Sequence, residues 1–513
     1  MERPNILFIL SDQHNARLLG HRGHPQIRTP HLDALAASGV GFDRAVAQNP
    51  ICTPSRVSFL SGQYPHNHGY YGLAGPDVPA LPSLFSHFRE AGYYTGAIGK
   101  IHSPENWVER GCDVYHETCF MHLHEGGRHE YRDFLAQRGR VHLEDHTIMA
   151  EWGERGRQSM DSRPSALAFE ESMEGWIAAR INGAVDAAGR AGKPFLLHAS
   201  LPRPHQCTTP SEPFWSMYEG VEPFLPPNAD DPLTGRGPHL REMAARWRTG
   251  RWALFEPRDF ESARRRKLRG YFGAISQVDH AVGLMLAHLE ARGVRGKTIV
   301  VYSSDHGDYA CEHGIMEKAP GICSDAVTRI PMIWSWPGCL PEGTRCRQWV
   351  EAIDVSATLC ALAGVPEMET SDGSDLTPLL HGGGDPAEGW KDGALTGCLW
   401  SKAFCSGAHR LVYYPQAMFA DEYPDGFGEL YDLEADPWEC HNRYFDPGWA
   451  TVREAMERKL FNRLLTTTRP VTSHPPAAGP CEPSRQHRHY LAPDGKRPSP
   501  AREKPSGAAL RYW

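Results

Sequence analysis

Short apolar runs separated by amphipathic segments form the main pattern along roughly the first 300 residues. Four runs, at residues 6–10, 94–98, 195–197 and 298–302, are uninterrupted, as is typical of parallel strands covered on both faces. Before the last run, apolar residues recur at spacings of three and four and predict a helix that ends near Gly293; they are Tyr271, Ile275, Val278, Val282, Met285 and Leu289. Alternating strands and helices predict an α/β fold with a large, mostly parallel central sheet flanked by helices.

A shorter helix shows signals at both of its ends. Thr29 is a candidate N-cap, Pro30 fits the first helical position and Gly39 fits the stop. The segment between them is therefore predicted as one of the helices that flank the sheet.

The pattern changes from about residue 364. Prolines, glycines and short aromatic runs predict a smaller antiparallel subdomain over residues 366–468, after a catalytic α/β domain at 1–365. Residues 469–513 are rich in Pro, Arg, His and Ser and contain few large apolar residues. We expect an extended tail there, or one that packs on a partner subunit of a homo-oligomer.

The composition narrows the classes of partner. The 513 residues include 54 Lys and Arg against 62 Asp and Glu, a formal net charge of −8, which argues against nucleic acid as a partner. The apolar run at the N-terminus is too short for a signal sequence or a membrane span, so a cytoplasmic location without a membrane partner is expected. The 13 cysteines are scattered, which argues against a disulfide framework.

Two predicted strands end in residues that could bind a metal ion. The first run is followed by Asp12 and Gln13, and the run at 298–302 is followed by Asp305 and His306. Functional side chains gather at the carboxyl ends of parallel strands, so these four residues could hold one divalent cation. For either pair taken alone, a helix N-cap is the better interpretation, and the two pairs together shift the balance only modestly towards a metal site.

The segment Cys52-Thr53-Pro54-Ser55-Arg56 resembles the C-x-P-S-R signature of type I, formylglycine-dependent sulfatases of the alkaline phosphatase superfamily. Three further segments occur in the family's order, namely 99–102 (Gly-Lys-Ile-His), 204–205 (Pro-His) and 304–308 with Lys318 after it. The resemblance extends over roughly the first 445 residues. A buried structural cysteine before a proline-initiated helix is the alternative for the five-residue motif alone.

The resemblance implies the chemistry of residue 52. Cys52 would be converted to formylglycine by a formylglycine-generating or sulfatase-maturating enzyme. The hydrated aldehyde, a gem-diol, would then attack the sulfur of a small-molecule or carbohydrate sulfate ester. The products would be an alcohol and inorganic sulfate.

The resemblance also implies roles for five other residues. Arg56, Lys100 and Lys318 would surround the sulfate with positive charge, and Arg56 could also hold residue 52 in place. His205 is the first candidate for the proton of the leaving group, with Lys318 second. His102 is the expected base when the sulfated gem-diol collapses.

Two departures from the family pattern keep alternatives open. Many members carry Asp-Asp at the first metal segment and Asp-Asn at the second, where this chain has Gln13 and His306. Calcium remains the first expectation and manganese is the alternative. Similar combinations occur in the choline-sulfatase and phosphonate monoester hydrolase branches, so a phosphonate monoester or phosphodiester hydrolase is the second hypothesis. A non-catalytic binding protein of the same fold is the third.

Overall fold

The structure is a computed structural model that describes residues 3–73, 75, 81–104, 106–118, 130–144, 162–249, 259–318, 321–382 and 390–469. Its large compact unit comprises residues 1–413 and 428–468. A second unit includes residues 414–427, where the ring of Tyr414 packs on those of Phe419 and Phe427 at centroid distances of 5.4 and 5.5 Å. Apart from Arg469, the predicted tail lies outside the described residues.

In the described chain, nine strands form one large sheet. They are β1 (Asn5–Asp12), β2 (Val40–Val46), β3 (Tyr94–Gly99), β4 (Val114–Glu117), β5 (Phe195–Pro204), β6 (Thr298–Ser304), β7 (Arg329–Ile330), β8 (Met332–Ser335) and β9 (Thr344–Glu351). Strands β4, β3, β5, β1 and β6 are neighbours in that order and pair in parallel. Strands β7 and β8 pair antiparallel to their neighbours, and β2 pairs with β9 in parallel. The predicted mostly parallel sheet is confirmed.

Helices cover both faces of this sheet. The helices of the described residues are α1 (Pro30–Ala37), α2 (Cys52–Ser61), α3 (Pro65–His68), α4 (Leu84–Glu90), α5 (Glu130–Ala136), α6 (Met173–Ala191), α7 (Pro238–Arg248), α8 (Phe260–Ala291), α9 (Asp325–Thr328), α10 (Asp354–Ala363), α11 (Thr377–His381) and α12 (Ala450–Thr467). Along β1, Phe8 packs in one core with Phe59 of α2, while Leu7 packs in the other with Ile177 of α6. Both faces of β1 are therefore buried, as its uninterrupted apolar run predicts.

A separate antiparallel sheet follows the large one in the sequence. It contains β10 (Ala394–Gly397), β11 (Lys402–Ser406), β12 (His409–Tyr413) and β13 (Gly428–Asp432), paired in chain order. Helix α12 packs on this sheet through Met456 and Leu460. The antiparallel C-terminal element is thus confirmed, while the boundary near residue 365 stays a prediction.

The strand ends position the candidate site. Strands β1, β3, β5 and β6 all extend past their predicted apolar runs at the carboxyl end. Because these strands are parallel, their carboxyl ends meet at one edge of the sheet. Among the described residues, no helix is both long and apolar enough to cross a membrane.

Candidate active site

Residue 52 lies at the start of α2, beside the carboxyl edge of the large sheet. The Cys52 side chain is buried, with Sγ 3.2 Å from Nε2 of His306 and 3.8 Å from Oδ1 of Asp12. Ligand atoms of Asp12, Cys52, Asp305 and His306 all lie within 4.8 Å of one another. Three of the four predicted metal ligands therefore surround the predicted catalytic residue.

Arg56 follows Cys52 by one helical turn and bridges the two acids. Its Nε donates to Oδ2 of Asp305 at 2.8 Å, and one terminal nitrogen donates to Oδ2 of Asp12 at 3.0 Å. The other terminal nitrogen donates to Oγ of Ser200 at 2.7 Å and to the carbonyl oxygen of Lys100. Only 1% of Arg56 is exposed. Its buried guanidinium contacts residues in or directly after four strands, β1, β3, β5 and β6.

Lys100 adds a second positive charge. It follows β3, where a Cβ on Gly99 would lie 1.9 Å from the carbonyl oxygen of Ser200, so glycine is required for the two strands to approach. The Lys100 ammonium lies 2.5 Å from Oδ2 of Asp12. Burial acts to raise the pKa of Asp12, but the charges of Lys100, Arg56 and their neighbours hold it well below its ordinary value.

His102 is placed close to Lys100 by a short loop. His102 is buried and has a positive φ of 48°, and its backbone N–H donates to Oε2 of Glu117 at 3.1 Å. The N–H of Ile101 donates to the other oxygen of the same carboxylate at 3.1 Å. Glu117 therefore fixes the loop. It ends a short edge strand and belongs to no motif, so the sequence alone does not predict this role.

Gln13, Lys318 and His205 form a chain of contacts at the same edge. Lys318 Nζ lies 2.8 Å from Oε1 of Gln13 and 2.8 Å from Nε2 of His205. A lysine ammonium only donates, so Nε2 of His205 accepts and its Nδ1–H donates to the Gln206 carbonyl at 2.7 Å. Burial and the charges of Lys100 and Lys318 hold the pKa of His205 well below its ordinary value, which keeps the ring neutral.

Two further acids contact the side chain of Gln13. Its Nε2 donates to Oδ2 of Asp308 at 2.5 Å and to Oε1 of Glu317 at 2.9 Å. Burial and the nearby charge of Glu317 raise the pKa of Asp308 to about 6. These acids lie 295 and 304 residues from Gln13 in the sequence, so no local motif connects them to it.

The donor set fits a divalent cation. Asp12 and Asp305 offer carboxylate oxygens and His306 offers an imidazole nitrogen, all at a buried point. Ligand atoms that share one cation at bond lengths of about 2.3–2.6 Å lie within about 5 Å of each other, and the spacing here is compatible with that. The backbone N–H of Gln13 donates to Oδ1 of Asp305 at 3.0 Å, which sets its side chain beside this group.

The surroundings of residue 52 favour a negative charge. Burial and Asp12 act to raise the pKa of the Cys52 thiol, but Lys318, Lys100 and His306 outweigh them, and the pKa is lowered overall. An anion that enters beside residue 52 therefore meets several positive groups. This is the electrostatic requirement of a site that transfers a sulfuryl or phosphoryl group.

Two family models and several curated relatives match large parts of this chain. The family model "Sulfatase" matches residues 4–365, and the model "N-sulphoglucosamine sulphohydrolase, C-terminal" matches residues 311–465. An ulvan-active sulfatase from Formosa agariphila is 25% identical over 472 residues, which are 90% of this chain and 81% of that protein. A choline-sulfatase from Rhizobium meliloti is 28% identical over 385 residues, 74% of this chain and 72% of that protein.

Solved structures extend the comparison to the fold. The phosphonate monoester hydrolase from Silicibacter pomeroyi superposes with a TM-score of 0.74 at 22% identity, covering 91% of this chain and 96% of that one. Sheet, site and family matches together define a sulfuric ester hydrolase with an alkaline phosphatase-like fold. The chain belongs to the sulfatase family, so the resemblance stated from the sequence is confirmed.

Proposed function

We propose that this sulfatase cleaves a small-molecule or carbohydrate sulfate ester with formylglycine, formed from Cys52, as the source of the nucleophile. The observation that carries the proposal is the position of Cys52 at the start of α2, within 4.8 Å of ligand atoms of Asp12, Asp305 and His306. Formylglycine would offer a hydroxyl nucleophile at this buried, electropositive position. A maturation enzyme is therefore a required partner.

Asp12, Asp305 and His306, with Gln13 beside them, are the residues that would hold one divalent cation. When bound there, the cation supplies positive charge for the sulfate oxygens and for an attacking hydroxyl. Calcium is our first choice, because two carboxylates and an amide are oxygen ligands, and manganese is the alternative because of the imidazole. Arg56 pairs with both carboxylates and holds them beside this point.

Lys318 is the better candidate for the proton of the leaving alkoxide. Its ammonium carries protons and contacts Nε2 of His205 at 2.8 Å, whereas Nε2 of His205 carries a lone pair in this arrangement. We therefore reverse the order expected from the sequence and assign His205 to hold Lys318, which would regain its proton from water after the alcohol has left. Lys100, which pairs with Asp12, would contact the sulfate group of the substrate.

A phosphonate monoester or phosphodiester hydrolase is the second candidate. The feature that favours it is the combination of Gln13 and His306, which differs from the acid and amide ligands of many sulfatases. The same cation and the same positive side chains could serve a phosphoryl group.

Turnover of two ester types by the matured protein tests the proposal. Protein produced with a formylglycine-generating enzyme should hydrolyse nitrophenyl sulfate faster than a phenylphosphonate ester, with either calcium or manganese. The Cys52→Ala variant is the matched control and should lose both activities while it keeps the fold. Faster phosphonate turnover would favour the second candidate, and equal activity of Cys52→Ala would exclude residue 52 as the nucleophile.

A further inference from the structure

The side-chain amide of Gln13 lies between two carboxylates, which when ionised only accept hydrogen bonds, and one ammonium, which only donates. Asp308 and Glu317 are on its nitrogen side, at 2.5 and 2.9 Å from Nε2. The Lys318 ammonium is on its oxygen side, at 2.8 Å from Oε1. A glutamine amide has donors at one end and an acceptor at the other, so these neighbours specify a single orientation.

The reversed orientation would mismatch every one of these contacts. Oε1 of Gln13 would face the two carboxylates, and Nε2 would face the ammonium of Lys318. All of these groups are largely shielded from water, so such mismatches would be costly. The acids therefore determine which atom of Gln13 meets Lys318.

Glu317 depends on Gln13 in return. Among the described residues, its second oxygen, Oε2, is buried without a hydrogen-bond partner. The Lys318 ammonium lies 3.7 Å from Oε1, beyond hydrogen-bond distance. The hydrogen bond from Nε2 of Gln13 to Oε1 is therefore the short contact that offsets the energetic cost of burying the Glu317 carboxylate.

We propose that Asp308 and Glu317 are positioning residues that fix the orientation of the Gln13 amide and, through its oxygen, hold Lys318 against His205. The inference rests on the proposed function of Lys318 as proton donor to the leaving group. It gives the acidic pair a role in catalysis without contact to substrate. Gln13 then acts as the connection between the pair and the proton donor.

The leaving group of the substrate separates this role from a structural one. The double variant Asp308→Asn/Glu317→Gln keeps the shape of both side chains, but each new amide can donate as well as accept, so Gln13 is free to reverse. Turnover of an alkyl sulfate, whose alkoxide needs a proton, should fall about tenfold or more. Turnover of nitrophenyl sulfate, a good leaving group, should fall by less than about threefold. Equal losses on both substrates would overturn the proposal.

Variants of Gln13 show whether the acids act through it. Gln13→Ala also removes a candidate cation ligand and should lower turnover of both substrates, and Glu317→Gln should cause no further loss of alkyl sulfate turnover in the Gln13→Ala background. Losses that multiply would contradict a route through Gln13. Glu312→Gln is the matched control, because Glu312 is a buried acid of the same segment that contacts Asn15 and Arg17 instead. Glu312→Gln should change the turnover of neither the alkyl sulfate nor nitrophenyl sulfate.

A crystal structure of the double variant tests the proposal even if the protein does not hydrolyse sulfate esters. The contact between Lys318 Nζ and Oε1 of Gln13 should be lost, while the unaltered protein keeps it. An unmoved Lys318 Nζ would overturn the proposal, because an ammonium only donates and one that stays in place still faces the amide oxygen. Absence of all sulfatase activity in the matured, unaltered protein would instead contradict the proposed function.

Discussion

Two buried networks of charge in the large unit have similar members but different contacts. The first is the site network of Asp12, Arg56, Lys100 and Asp305 around residue 52. The second, which we call the Glu351 network, joins Glu351 and Asp354 to Lys391 and to Arg463 of α12. Both lie deep in the protein and both pair carboxylates with cations.

In the Glu351 network, donors occupy both oxygens of each acid. Glu351 accepts from the Tyr64 hydroxyl at 2.9 Å, from the N–H of Leu395 at 2.8 Å and from Lys391 at 2.7 Å. Asp354 accepts from the backbone N–H of Glu351 and Ser374 at 2.7 and 2.8 Å and from Lys391 at 2.6 Å. Such saturation is expected of a network that holds elements together.

In the site network, one oxygen of Asp12 has long contacts. Oδ1 lies 3.8 Å from Sγ of Cys52 and 3.8 Å from Nε2 of His306. The other oxygen, Oδ2, pairs with Arg56 and Lys100. These atoms converge on a point where a cation would satisfy them. The comparison shows that a buried network of charges does not by itself identify a functional site. A buried acceptor that lacks a short hydrogen bond and lies beside a reactive residue is the more informative feature.

The largest effect should come from Arg56→Ala. Without the guanidinium, Asp12 and Asp305 repel each other, so we expect at least about a 10³-fold loss of kcat/KM and a loss of stability of about 3–5 kcal/mol. Kinetics with nitrophenyl sulfate and urea unfolding measure the two effects. The Arg56→Lys variant keeps the charge but cannot bridge both acids, and it should recover stability more than activity. A fully active Arg56→Ala enzyme would contradict our description of the site network.

Lys391→Met should separate stability from activity. The methionine keeps the apolar stem but leaves Glu351 and Asp354 without their shared ammonium, so unfolding should become easier by about 3 kcal/mol. Turnover per folded molecule should stay unchanged, because the Glu351 network does not contact residue 52. A decrease of kcat without a decrease of stability would show that the two networks are coupled.

Asp279 provides a smaller test, as a buried acid outside both networks. Its carboxylate accepts from the backbone N–H of Leu32 at 2.7 Å, and burial raises its pKa to about 7. The folded state therefore binds the proton more tightly than the unfolded state. The protonated carboxyl group of Asp279 therefore stabilises the folded state fully below about pH 4, and this stabilisation is lost as the pH rises through about 7.

Asp279→Asn should remove this pH dependence. Relative to the unaltered protein, the variant should gain about 2 kcal/mol of stability between pH 5 and pH 8, because the asparagine oxygen still accepts from Leu32 and carries no charge. Urea unfolding at several pH values measures the difference. A constant difference across this range would exclude Asp279 as the titrating group.

The sequence predicted the strands and the motif residues better than their contacts. The apolar runs located β1, β3, β5 and β6, because a strand buried on both faces leaves a continuous apolar signature. The polar ends of these strands were outside the runs, since residues such as Asp12 and Ser304 continue the strand through backbone pairing alone. Strand position was therefore predictable, and strand length was not.

Contacts between distant segments account for the rest. Thr29 was the predicted cap of α1, but its hydroxyl bonds to Asp33, and Asp279 from α8 accepts the N–H groups at the helix start. Likewise, the contact between His205 and Lys318 joins residues 113 positions apart. No local pattern encodes such pairs, because the tertiary fold alone brings them together.

Mass spectrometry of the peptide that contains residue 52 tests the central claim most directly. The protein should be produced with a formylglycine-generating enzyme and shown to hydrolyse a sulfate ester before digestion. We predict an aldehyde at residue 52 in a fraction of molecules that rises in proportion to the specific activity. Fully active protein in which Cys52 remains an unmodified thiol would contradict the account.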